Sequence, residues 1–250
     1  MSKANHNLNR LLDKPGGGVR RCFNIENIFF KVVLSEALDF YEINMSDANK
    51  FQRLLGVQLA AQLDCGFKFY KTTLELRRKT KNGHDIIILG GSNKWSPTIS
   101  VSFHFGKRFN LVRDIEKKLN EEPMFYHIHH YSPNSRNMKG LNYSGPGTWN
   151  VDIRDSNDGL AADIIRGIEG IAFPFFERFT EMNEARDALA CQDSWCIGAK
   201  GAFWPTLFKV DTALGDISHF REWCKSLTPF HRKQALEKLE KYEHDFNDKI

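Results

Sequence analysis

The stretch MFYHIHHYSPNS, Met124 to Ser135, sets three histidines inside four residues and flanks them with aromatic side chains. Imidazole holds transition metals and moves protons near neutral pH, so the chemistry this stretch suggests is a metal site. Read as a strand, its side chains alternate. Phe125, His127, His129 and Tyr131 share one face, and Tyr126, Ile128 and His130 share the other. His127 and His129, two residues apart on one face, can reach a single ion. His104, on the polar face of another strand pattern, is the natural third ligand, and three histidines leave a fourth position open for water. That arrangement would serve a hydrolase or nuclease using zinc or manganese. The plainer reading is half-exposed strand histidines making hydrogen bonds. No HExxH and no carboxylate motif accompanies them, so the expectation is no catalytic residue and no cofactor, with zinc or manganese as the alternative.

A second candidate is GFKFYKTTLELRRKTK, Gly66 to Lys81, where Lys68, Lys71, Arg77, Arg78, Lys79 and Lys81 interleave with Phe67, Phe69 and Tyr70. Cations neutralise phosphates and aromatic rings stack on bases, as in single-strand nucleic-acid binding sheets. A strand end followed by a hairpin turn explains the same run as a solvated face. The formal charge of +4 and pI near 8.7 permit anionic partners without requiring them. Other motifs fail on inspection. In DIRDSNDG, Asp152 to Gly159, Arg154 stands where a calcium loop needs its first carboxylate. The glycines of DKPGGGVRR are followed by Val19 and Arg20 rather than the Lys-Ser/Thr of a phosphate-binding loop. Asp211, Asp216 and His219 read as helix caps, since neither Ser194 nor Ser218 sits in a G-x-S-x-G elbow.

These residues need elements to hold them. A length of 250 residues, 41% hydrophobic and 26% charged, is enough for a core, and 20 phenylalanines make that core aromatic. Five scattered cysteines, Cys22, Cys65, Cys191, Cys196 and Cys224, argue against a disulfide framework and for free thiols in a reducing compartment. The N-terminal stretch has no continuous apolar segment of the secretory type, and no apolar run is long enough to span a bilayer, so a cytoplasmic, soluble protein is expected.

Phe51, Leu54, Leu55, Leu59 and Leu63 recur at helical spacing behind an Ser46 or Asp47 cap, and Gly66 should close that helix. YKTTLELRRKT, HDIIILGGS and PTISVSFHFG read as an antiparallel meander. In the last, Ile99, Val101, Phe103 and Phe105 alternate with Ser100, Ser102 and His104. A helix from about Phe109 to Asn120 follows, then strands FYHIHHY and TWNVDI. From Asn157 onward the chain is helical, with Pro174 starting a new helix and Thr228 and Pro229 opening the last.

Taken together, LAAQLDCGFKFYKTTLELRRKT, ISVSFHFG and IAFPFFERF resemble an uncharacterised bacterial family of α+β domains, over roughly Asn49 to Thr180. Some members of that family are similar to toxin-immunity or defence-accessory proteins. The resemblance implies a small intracellular binding module and transfers no active site.

The expected fold is therefore α+β: an N-terminal arm and linker over residues 1–45, then one domain over 46–250 with an antiparallel sheet of about four or five strands packed by helices. The expected function is a non-enzymatic bacterial binding protein that occludes a protein partner, a toxin or defence component, without membrane contact. Arg77, Arg78, Trp95 and Tyr126 are its candidate contacts. Single-stranded nucleic acid is the alternative partner, and the His104, His127 and His129 metal site the alternative activity.

Overall fold

The computed structural model describes residues 47–63, 65–95, 98–141, 143–152, 159–196 and 203–247. The chain divides into two units, Met1–Asn44 and Met45–Ile250, and every described residue lies in the second. The expected arm and linker, the stretch Phe23–Ile43, Cys22 and most of the DIRDSNDG loop fall outside the described residues.

Helix α1, Asp47–Gln62, opens this unit. Leu55, Leu59 and Leu63 follow at four-residue intervals and are buried, so the helix lays one apolar stripe on the sheet. Gly56 permits that approach, because a Cβ there would sit 2.2 Å from the Phe69 ring. The helix ends at Gln62, before the expected Gly66. The glycine is used instead for the turn into the first strand, at a φ of +79° that side chains disfavour.

Six strands follow: β1 Lys68–Tyr70, β2 Glu75–Lys79, β3 Gly83–Trp95, β4 Thr98–Phe109, β5 Ile128–Tyr131 and β6 Thr148–Asp152. They form one antiparallel sheet in the order β1-β2-β3-β4-β5, with β6 also paired to β4. The fold is α+β. The strand number exceeds the expected four or five because YKTTLELRRKT breaks at a turn, where Leu74 takes a φ of 53°, into β1 and β2.

One edge of β4 is shared by two short strands. Thr98–Ser102 pairs with β6 and His104–Lys107 with β5. At the junction Ser132 Oγ accepts from the Phe103 N–H at 3.2 Å and donates to Gly147 O at 2.6 Å. A side chain thus supplies the ladder bond that neither strand reaches.

The pleat sorts the sheet into two faces. Ile87, Leu89, Ile99, Val101, Phe103, Phe105, Ile128 and Trp149 line the inner face and are buried with the helices. Phe105 meets Phe175 edge-on at 5.1 Å, and Phe175 meets Phe179 at 4.8 Å. Burying one such ring contributes about 1.5–3 kcal/mol. Helix α2, Asn110–Lys118, leaves directly from β4 and buries Val112 and Ile115.

In the C-terminal part, α3 Leu160–Gly167, a π-helical turn Ile168–Ala172 and α4 Phe173–Arg178 follow without a break. Pro174 opens α4 as expected, at its first turn, but with no loop before it. The wider turn shifts the hydrogen-bond pattern just before the residue that lacks an N–H. Helices α5 Met182–Cys191, α6 Trp204–Leu214, α7 Ile217–Cys224 and α8 Pro229–Asn247 complete the unit. The Asp216 carboxylate accepts from the His219 N–H at 3.2 Å and caps α7, and Thr228 Oγ1 accepts from the His231 N–H at 3.4 Å at the start of α8. No helix among the described residues is long and apolar enough to cross a membrane.

One ionic group interrupts the inner face. Asp85 is buried and takes Arg78 Nη2 at 2.7 Å and Lys107 Nζ at 2.9 Å. The Arg78 guanidinium also lies 5.0 Å from the Phe67 ring centre and 5.4 Å from that of Phe173. Removing one member of a buried ion group strands the others, at a cost of about 3–5 kcal/mol. Asp85→Ala should lose stability on that scale in urea unfolding, and Asp85→Leu combined with Arg78→Met and Lys107→Met should recover most of the loss. A triple variant no better than the single one would show that the charges are not the cause.

Candidate anion-binding face

The histidines do not assemble as their spacing suggests. β5 begins only at Ile128, so Phe125 to His127 lie outside the pleat, and FYHIHHY is a strand over its last four residues alone. The His127 N–H donates to Lys107 O at 2.8 Å, and the ring turns toward α2. Its Nδ1 accepts from the Phe109 N–H at 2.9 Å, which places the proton on Nε2, 3.5 Å from Glu116 Oε1. His129 does lie on the outer face, opposite Gly106, with the Tyr126 ring stacked at 5.4 Å. His104 shares that face and stacks on Tyr131 at 4.0 Å. His130 faces inward against Phe105.

His104 and His129 thus share the outer face near enough to feel each other's charge, each stacked on a tyrosine, while backbone bonds to β4 keep His127 turned toward α2. Among the described residues no group of three or more His, Cys, Asp or Glu side chains could hold a metal ion. Burial lowers the pKa of His104, His127, His129 and His130 alike. All four favour the neutral form in the folded chain.

His127 instead belongs to a structural network. The buried Glu116 also accepts from the Met124 N–H at 3.2 Å and lies 3.4 Å from Lys209 Nζ. Lys209 reaches Glu121 at 2.8 Å, and Lys238 contacts the same carboxylate. Burial pushes the Glu116 carboxyl up, but His127, the Met124 N–H and Lys209 together hold it below its ordinary range. The network ties α2 and the loop before β5 to α6 and α8.

The outer face carries the other charges. In antiparallel pairing opposite residues share a face, so Lys79, His84 and Arg108, paired in register across β2, β3 and β4, form one row. Arg77 and Lys68, opposite each other on β2 and β1, stand beside it. Arg77 is neutralised by an ion pair with Glu75, and its guanidinium lies 4.4 Å from the exposed Tyr70 ring. Lys79, His84 and Arg108 have no ion-pair partner among the described residues. Arg108 is half-buried; burial together with Arg77 and Arg113 works against its charge, and the carboxylates of Glu75 and Glu116 only partly offset them.

The four expected contacts separate accordingly. Arg77 is on the outer face. Arg78, its neighbour, points to the other face and pairs with Asp85, because adjacent strand residues take opposite faces, and it keeps about as much exposure as Arg77. Tyr126 is half-buried over Gly106, where a Cβ would sit 2.6 Å from the tyrosine ring, and burial pushes its hydroxyl pKa well up. Trp95 ends β3, and its side chain lies outside the described residues. Two members of the row, His84 and Arg108, were absent from the sequence reading. The KNG turn sets Lys79 opposite His84, and carrying the Ser100, Ser102, His104 alternation onward reaches Arg108.

A smaller cluster joins α6 to α7. Asp211 is buried, with Oδ2 2.8 Å from His219 Nδ1, while Asp216 takes Ser218 Oγ at 2.8 Å and Arg186 at 3.4 Å. The expected capping role holds for Asp216. Asp211 instead anchors His219, and burial pushes its carboxyl up to about 6 against the pull of that histidine.

No protein-family model matches this sequence, nor does any curated protein or solved structure.

The shifted groups set opposing pH dependences. Histidines held neutral contribute stability that is present above their ordinary pKa near 6.5 and is lost as pH falls below it. Asp211 is raised, so its contribution is present below 3.8 and is lost as pH rises toward 6. Comparing unfolding free energies of the wild type and Asp211→Asn from pH 4 to pH 7 isolates the acid. The wild type should lose ground to the variant by at most about 3 kcal/mol as pH rises. A difference that does not change with pH would contradict the burial argument.

Proposed function

We propose that this chain is a non-enzymatic binding protein whose contact surface is the outer face of its sheet, and that its partner is a protein with an acidic surface. The observation that carries this reading is the row Lys79, His84 and Arg108, two cations flanking a titratable histidine in register across three strands, with no ion-pair partner among the described residues. Lys79 and Arg108, one strand apart on either side of His84, present positive charge on one face, and a partner's carboxylates would complement it. Exposed Tyr70, on the same face, supplies a ring of the kind that anchors interfaces. Charge complementarity would then speed encounter and fix orientation, while occlusion of the partner requires no chemistry from this chain. That is the relation an immunity or defence-accessory protein has to the toxin or defence component it covers.

Single-stranded nucleic acid is the second reading, favoured by the Arg77 guanidinium against the Tyr70 ring beside the row.

The test measures binding of the full chain to poly-L-glutamate and to oligothymidylate at rising salt. Polyglutamate should bind at low salt, and Lys79→Glu with Arg108→Glu should weaken it by about tenfold or more. Tighter binding of oligothymidylate would transfer the face to the nucleic-acid reading. Binding that the charge reversals leave unchanged would remove the outer face from either role.

A further inference from the structure

The row has a geometry more specific than a basic patch. Neighbouring strands lie about 4.8 Å apart, so Lys79 and Arg108 flank His84 on either side with long, flexible chains around a short central one. The backbone beneath them is fixed at the hairpin tip. Asn82 O accepts from the Asn110 N–H at 2.9 Å, and Asn82 Nδ2 donates to Thr180 O and Glu181 Oε2, each at 3.1 Å. Three donors on three adjacent strands can converge over His84 on a space one tetrahedral oxyanion wide.

We propose that Lys79, His84 and Arg108 form a binding site for a phosphoryl-type dianion, and that His84 binds it in the protonated form, so that each ligand bound draws a proton from solution. The site rests on the outer face being the contact surface, and it names the group on the partner that the face takes. A phosphate monoester carries about −1.5 to −2 charges near neutral pH and three acceptor oxygens, which match the three donors. A carboxylate or an internal phosphodiester carries only one charge. In the free protein burial disfavours charge on His84, as do Arg108, Arg77 and Lys79, while Asp85, on the other face of the same strand, favours it. A dianion above the row reverses that balance. Sulfate, which does not titrate between pH 5 and 8, is the cleanest probe of this linkage.

The experiment follows the His84 ring of the full chain by NMR while pH is varied, first with sulfate, then with chloride at matched ionic strength. Sulfate should raise the apparent pKa of His84 by about one, a tenfold change in the proton's equilibrium, and chloride should not. Lys79→Gln and Arg108→Gln should each weaken sulfate by about tenfold. His84→Asn should bind sulfate more weakly and with no dependence on pH. Inorganic phosphate and a phosphoserine peptide then distinguish a free ion from a group carried by a partner, and either binding more tightly than sulfate supports the site. Sulfate acting no differently from chloride would overturn the proposal, as would full pH dependence in His84→Asn. If sulfate fails while polyglutamate still binds, this site is wrong and the binding face stands. If neither binds, both are wrong.

Discussion

The pleat of β4 sends Phe103, Phe105 and Phe109 to one side and Ser102, His104 and Arg108 to the other. Because a strand's period is two, this sorting cannot be changed at one position without exchanging every side chain between core and outer face. The rings on the inner side fix how α4 and α2 approach, through Phe105 against Phe175 and through the turn that leaves β4 at Phe109. The polar side chains on the outer side are consequently set in rows whose spacing is that of the sheet itself. The binding face is a by-product of the same constraint that builds the core.

Two kinds of charge arise from that arrangement, and they behave differently. Those that are buried are paired: Asp85 has Arg78 and Lys107, and Glu116 has His127 and Lys209. Low polarity leaves little choice there, since an unpaired buried charge is costly. On the outer face Lys79, His84 and Arg108 have no ion-pair partner among the described residues, and contact with water makes such pairing optional there. The molecule neutralises Arg77 with Glu75 only one step along the same strand, which makes the unneutralised row a local property rather than a general excess of cations.

Much of the fold was legible because it depends on local periodicity. The Leu55, Leu59 and Leu63 stripe gave α1, and the Ile99 to Phe105 alternation gave β4 its two faces. Where reading failed, a tertiary contact had outweighed the local pattern. His127 looks like a strand residue in register with His129, but a backbone N–H on β4 and a carboxylate on α2 together draw it out of the pleat. Pro174 does open a helix, but a π-helical turn joins it to the preceding one without the loop the proline suggests. Arg77 and Arg78 were grouped as one basic patch although the sheet period separates them. His84 and Arg108 were legible in principle, but only once the hairpin register was carried across three strands.

The splice at Ser132 has a further meaning. Because β5 and β6 run in the same sense along β4, the sheet formed by the described residues ends there in what is in effect one strand interrupted by residues 132–147, and Ser132 closes the gap with its hydroxyl. A long unbroken edge would offer a continuous row of free N–H and C=O groups to any passing strand. Two short pieces divided by an excursion present no such template. The device that satisfies a single backbone N–H also guards this chain against edge-to-edge aggregation.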